Sequence, residues 1–205
     1  MGRAPMDQEI LSGLRNNDIF LYFGHGSGEQ YVKSAQIKRL QKSALAMLFG
    51  CSSGKLREAG DFEAWGTPIT YLLGGRYSIP DIFTDPSPAV LANLWDVTDR
   101  DIDRLSYGVF SRWGLCEGER PKSRGSDDGQ FEPERGMGLD FGGGSIGERK
   151  RQLQASIRGK KYVGARKGVS LTEALAMARE DCTLKYLNGA APVIYGVPVF
   201  LEERK

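Results

Sequence analysis

Ile19-Phe20-Leu21-Tyr22-Phe23 runs straight into Gly24-His25-Gly26-Ser27-Gly28, and Ala44-Leu45-Ala46-Met47-Leu48-Phe49 runs in the same way into Gly50-Cys51-Ser52-Ser53-Gly54. Each is a short apolar run closed by a glycine-flanked polar loop, the pattern of a strand buried on both faces. Two further runs share the character: Ala89-Val90-Leu91-Ala92-Asn93-Leu94-Trp95 and Val193-Ile194-Tyr195-Gly196-Val197. Helical spacing separates them. Ile102, Leu105, Val109 and Trp113 fall on one helical face behind Thr98 and Asp99, and Ser170 with Glu173 makes a capping box ahead of Leu171, Leu175 and Ala178. Strands alternating with helices predict an α/β fold with a mostly parallel sheet flanked by helices. In such sheets reactive groups gather just beyond the C-terminal ends of the strands.

The 205 residues, 40% of them hydrophobic, suffice for a single domain over residues 1–205. With a net charge of +2 and acids and bases interspersed, no large basic face is expected, which argues against direct nucleic-acid binding. No apolar run is long enough to span a bilayer, and residues 1–15 lack the apolar centre of a signal peptide, so the expectation is a soluble intracellular protein without a membrane partner. Cys51, Cys116 and Cys182 are odd in number and widely spaced, unlike a disulfide framework. Residues 117–150 are dense in Gly, Arg, Asp, Glu, Ser and Pro and read as a disordered insertion, and residues 74–88 read as a long loop.

The chain has one histidine, so any mechanism with an imidazole base must use His25. If the first two strands are parallel neighbours joined through a helix over 32–41, the imidazole and the Cys51 thiol emerge on adjacent loops, as a nucleophile and its base must. A helix over 56–73 following Cys51 would set the sulfur near free N–H groups and the positive end of a dipole, favouring thiolate. The backbone N–H groups of Gly26 and Cys51 are then the candidate oxyanion hole. Ser52 or Ser53 is a weaker candidate nucleophile. Taken singly, Cys51 reads as a structural thiol and His25 as a turn residue; it is their paired, glycine-flanked placement that points to catalysis. Cys182, within a helix expected over 170–187, and Cys116 read as structural. No short ligand spacing suggests zinc, and no cofactor is expected.

The motifs His25-Gly26-Ser27-Gly28-Glu29-Gln30-Tyr31, Phe49-Gly50-Cys51-Ser52-Ser53-Gly54 and Ala92-Asn93-Leu94-Trp95-Asp96-Val97-Thr98-Asp99-Arg100-Asp101-Ile102-Asp103 together resemble the protease domain of the separase family, whose fold is caspase-like. The first two alone would also fit the wider CHAT group. The third is the most specific. The resemblance implies a cysteine endopeptidase that cuts the kleisin subunit of cohesin after arginine to release sister chromatids, with securin as inhibitory partner, in cytoplasm and nucleus. It carries over His25 and Cys51 as the dyad, and suggests Asp96 or Asp99 as the carboxylate that binds the P1 arginine; capping of the following helix is the ordinary alternative for both. Asp101 and Asp103 are expected to be solvated. A caspase-like sheet should have strands ahead of the histidine strand, yet residues 1–18 read as one short helix, so a fragment of the fold with an open sheet edge is expected. Glu117-Gly118-Glu119-Arg120 and Glu132-Pro133-Glu134-Arg135 have the Glu-x-x-Arg form that resembles what separases cleave, where self-cleavage competes with chance matches in so charged a segment. The competing functions are a non-catalytic caspase-like binding module and a CHAT-type protease with another substrate.

Overall fold

In the computed structural model, which describes residues 4–76, 85–116, 160–163 and 168–203, the four apolar runs lie side by side. Strands β1 (Ile19–Phe23), β2 (Leu45–Phe49), β5 (Ala89–Asn93) and β7 (Pro192–Gly196) form a sheet in the order β1-β2-β5-β7. The first three are parallel, and β7 runs antiparallel to β5. Every residue of β2 and β5 is buried, which is why both read as unbroken apolar runs rather than as alternating ones.

Alternation survives in which face each side chain takes. Leu45, Met47, Phe49 and Leu91 belong to one core with Ile102, Leu105, Val109 and Trp113 of α4 (Asp99–Trp113) and Leu171 and Leu175 of α5 (Leu171–Ala178). Ala46, Leu48, Val90 and Ala92 face the other core, with Leu14 of α1 (Asp7–Asn16), Ile37 of α2 (Ser34–Lys38) and Tyr71 of α3 (Thr67–Leu72). The period-two split across two helical layers is the physical content of a sheet flanked by helices. Helix α4 begins after Thr98 and stops at Gly114, whose φ of 81° is the left-handed end that glycine accepts most readily. The capping box of α5 forms as its sequence requires, Ser170 Oγ accepting from the Glu173 N–H at 3.2 Å and the Ser170 N–H donating to Glu173 Oε2 at 2.8 Å.

Three expected helices differ. Residues 56–73 form an antiparallel hairpin, β3 (Arg57–Ala59) and β4 (Phe62–Trp65), and only then the short α3. Gly60, at φ 64°, makes the hairpin turn, and Pro68 in the first turn of α3 suits a new helix start rather than a helix interior. The dipole support expected for Cys51 is therefore withdrawn. The connection over 32–41 holds a helix only from Ser34 to Lys38. The helix expected over 170–187 ends at Ala178 and gives way to one 3₁₀ turn, Arg179–Asp181, because the chain beyond is drawn onto the carboxylate of Asp101.

Sequence patterning did not suggest the second small sheet, β6 (Lys160–Val163) with β8 (Phe200–Glu203). The insertion at 117–150, with both Glu-x-x-Arg sequences, and the tip of the 74–88 loop, residues 77–84, lie outside the described residues. The loop's ends are pinned: the Ser43 N–H donates to the Asp85 carbonyl at 2.9 Å and the Ser87 N–H to that of Gly74 at 3.1 Å. Among the described residues no helix is long and apolar enough to cross a membrane.

Candidate active site

Register decides where the two reactive groups emerge. Phe23 pairs with Phe49 at the ends of β1 and β2, so Gly24-His25-Gly26 and Gly50-Cys51 leave the sheet together. Phe23 and Phe49 stack at a centroid distance of 4.9 Å, and the edge of Phe110 closes on Phe49 at 5.6 Å. Beyond them the loops interlock. A Cβ at Gly50 would run into the carbonyl oxygens of Gly24 and Gly26, so no residue with a side chain fits there without moving the histidine loop. Glycine at 50 is thus the condition for His25 and Cys51 to share one edge.

The histidine loop is held through its carbonyls and one carboxylate. Tyr22 Oη donates to the His25 carbonyl at 2.9 Å, Gln30 Nε2 donates to the same oxygen at 3.2 Å, and Tyr71 Oη donates to the Ser27 carbonyl at 2.9 Å. Burial pushes the pKa of both phenols up, so both remain donors at neutral pH. Glu29 Oε2 accepts from the Ser27 N–H and hydroxyl, each at 2.8 Å. Partial burial opposes its ionisation, but hydrogen bonds from its own backbone N–H and from Ser27 outweigh this and hold the carboxyl below its ordinary range. The imidazole itself is exposed.

The nucleophile loop is fixed from β5. Asn93, fully buried at the strand's end, donates from Nδ2 to the Gly50 carbonyl at 3.1 Å. Its backbone N–H donates to Ser53 Oγ at 3.0 Å, and that hydroxyl donates to the Leu48 carbonyl at 2.7 Å. Ser53 is thereby a structural bridge rather than a nucleophile. Cys51 is half-buried and its thiol donates to the Val97 carbonyl at 3.2 Å, so in this state thiol and imidazole are neighbours by loop and not by hydrogen bond. The expected oxyanion donors, Gly26 and Cys51, belong to these two interlocked loops, and Gly26 at φ 58° lies over the Glu29 carboxylate.

Asp96 and Asp99 have different settings. Asp96 is exposed beside the nucleophile loop, where its Oδ1 accepts from the Ser52 hydroxyl at 2.6 Å. Asp99 is exposed as the first residue of α4. Asp101, expected to be solvated, is 2% exposed. It accepts from the Thr183 N–H at 2.7 Å, the Leu184 N–H at 3.1 Å and Asn188 Nδ2 at 2.8 Å. Burial opposes its charge, but these bonds, led by that from Asn188, hold its carboxyl below the usual range. Cys182 is buried, and desolvation pushes its thiol up to about 12, which removes it as a nucleophile. No role follows from sequence for Tyr22, Gln30, Tyr71 or Asn93, and Ser53, by sequence a candidate nucleophile, is instead a bridge between β2 and β5. Only Asn93, a lone amide ending an apolar strand, carried a signal that could have found it.

Comparison with known proteins gives one consistent answer. The family described as separin, protease domain, matches residues 1–102. The separin of Emericella nidulans is 41% identical over 203 residues, and that of Schizosaccharomyces pombe 37% over 197, covering 98% and 96% of this chain. The chain spans 8% of the length of each. Mouse separin is 29% identical over 202 residues. The solved Saccharomyces cerevisiae separase–securin complex superposes with a TM-score of 0.62 at 34% identity, over 95% of this chain and 9% of that one.

Proposed function

From the premise that this chain belongs to the separase protease-domain family, with its caspase-like sheet, we propose that it carries the catalytic centre of a cysteine endopeptidase that cuts after arginine. The observation that supports this most directly is the interlock of Gly50 with Gly24 and Gly26, which sets the sole histidine and a half-buried cysteine on touching loops at the ends of parallel strands.

In the proposed reaction the Cys51 sulfur turns from the Val97 carbonyl toward the imidazole, and His25 takes its proton. The thiolate attacks the scissile carbonyl, and the N–H groups of Gly26 and Cys51 stabilise the oxyanion that forms. His25 then protonates the leaving amine, and water attacks the acyl-enzyme with His25 as base. Tyr22 and Gln30 act through the His25 carbonyl, fixing the backbone from which the imidazole swings. Asp96 takes the guanidinium of the P1 arginine in a paired carboxylate contact, with Asp99 the second candidate. Residues 1–205 act as one unit, with 117–150 as an insertion. The corresponding biological role is cleavage of a cohesin kleisin with securin as inhibitor, in cytoplasm and nucleus; the likeness to the separase of the yeast complex supports the securin part.

A binding module that holds a peptide without cutting it is favoured by one observation, the thiol bonded to Val97 rather than to His25. Apo dyads are often loose and tighten with substrate, so the geometry suits either state. Labelling with a peptidyl acyloxymethyl ketone bearing P1 arginine separates the two. One adduct by intact mass, absent in Cys51→Ser and strongly slowed in His25→Ala, is the protease outcome. Absence of any adduct on folded full-length protein, together with retained peptide affinity, is the binding-module outcome.

A further inference from the structure

We propose that Ser52 is a positioning residue for specificity: its hydroxyl and its constrained backbone latch Asp96 against the nucleophile loop in the orientation a guanidinium-bearing side chain requires. The proposal rests on the reading of Asp96 as the carboxylate that takes the substrate's arginine. Three observations carry it. Ser52 is the one non-glycine residue with positive φ among those described, at 54°, a conformation that an L residue keeps only when its surroundings hold it there. Its N–H donates to the Trp95 carbonyl at 3.1 Å. Its hydroxyl donates to Asp96 Oδ1 at 2.6 Å, the length of a charge-assisted bond.

One residue, next in sequence to Cys51, therefore grips two successive residues of the segment after β5. These two bonds flank the carboxylate directly, while the Cys51–Val97 and Asn93–Gly50 bonds hold the same two segments on either side. The stoichiometry also fits. A carboxylate offers about four acceptor positions, and the serine occupies one on Oδ1, leaving Oδ2 and the rest of Oδ1 for two parallel N–H donors of a guanidinium. Asp96 is exposed, and an exposed aspartate without an anchor samples several rotamers that binding must then restrict. The hydroxyl removes that cost before the substrate arrives. The left-handed backbone has the same purpose, since it turns the Ser52 side chain away from the course of the strand and across to Asp96.

The test compares steady-state cleavage by the full-length protein of two peptides that differ only at P1, arginine against neutral, similarly shaped citrulline. The variants are Ser52→Gly, Ser52→Asn and Asp96→Asn. Glycine relaxes the backbone while deleting the hydroxyl, so loss of fold is not the expected result; asparagine tolerates positive φ and retains a donor. Ser52→Gly is expected to raise KM for the arginyl peptide about 10-fold with kcat and the citrullyl peptide little changed, and Ser52→Asn to recover part of the loss. Equal losses on both peptides would mean that Ser52 supports the nucleophile alone, which overturns the latch. Arginine preference lost in Asp96→Asn but kept in Ser52→Gly also overturns it, while leaving the role of Asp96 standing. Preference unaffected by Asp96→Asn removes both together.

Discussion

The loop over 24–30 and the loop over 182–191 are each folded around one carboxylate, yet the two carboxylates sit at opposite ends of the solvent scale. Glu29 is exposed and accepts from the N–H and hydroxyl of Ser27. Asp101 is buried and accepts from Thr183, Leu184 and Asn188, more than 80 residues away along the chain. The difference is one of reach. Glu29 shapes its own turn, a local arrangement that water could replace at small cost. Asp101 ties the start of α4 to a segment that would otherwise continue as helix after α5, at a position buried from the solvent that could take over its bonds. Burial turns the same chemistry from a trim on a turn into a tertiary clamp.

The largest expected effect breaks that clamp. Asp101→Ala leaves three donors facing an emptied, water-poor site and should cost about 3 kcal/mol, read as a drop in the urea midpoint at constant m-value. The pH dependence follows from the direction of the shift. With its folded pKa below the unfolded value of about 3.9, Asp101 contributes its full stabilisation above that value and loses it as pH falls through the lowered folded pKa. Asp101→Asn should therefore be less stable than wild type near pH 7 and show a flatter decline below about pH 4. A variant whose acid decline matches that of wild type would show that the clamp holds without charge.

Next in size is the neutral half of the histidine loop. Tyr71 is buried, and its hydroxyl is the donor to the Ser27 carbonyl, with Ser27 itself buried. Tyr71→Phe keeps the ring and orphans that oxygen, for an expected loss of about 1–2 kcal/mol. The histidine loop is also where catalysis should respond, so kcat should fall by more than KM rises. A stability loss with unchanged kcat would mean that the Ser27 carbonyl is not part of what places His25.

How much of this the sequence reveals depends on the range of the interaction. The two loops at the ends of β1 and β2 were legible because strand period and a glycine at each exit constrain them locally, and the register Phe23 with Phe49 does the rest. The hairpin over 57–65 was hidden by its ordinary composition, since Gly60 and Pro68 matter only once the chain is known to turn there. Asp101 was misread because an acid in the first turn of a helix is normally solvated capping charge, and its partners come from the far side of the insertion. Ser52 reads from sequence as a candidate nucleophile, whereas its hydroxyl is committed to Asp96. A residue's partner across the sheet leaves no mark in its own neighbourhood of sequence.

The smallest expected effect is also the sharpest check on the opening contrast. Glu29→Gln keeps the shape of the side chain and one acceptor oxygen but removes the charge. Because this group is open to water, the hydrogen bonds that lower its pKa are screened, and the loss should stay below about 1 kcal/mol, several times less than at Asp101. What should move instead is local: amide exchange at Ser27 should quicken while core amides of β2 and β5 keep their protection. If Glu29→Gln costs as much as Asp101→Asn, burial is not what separates the two carboxylates. The 24–30 loop would then be a clamp in its own right, with Gly26, which lies against that carboxylate, as the residue through which it acts on the site.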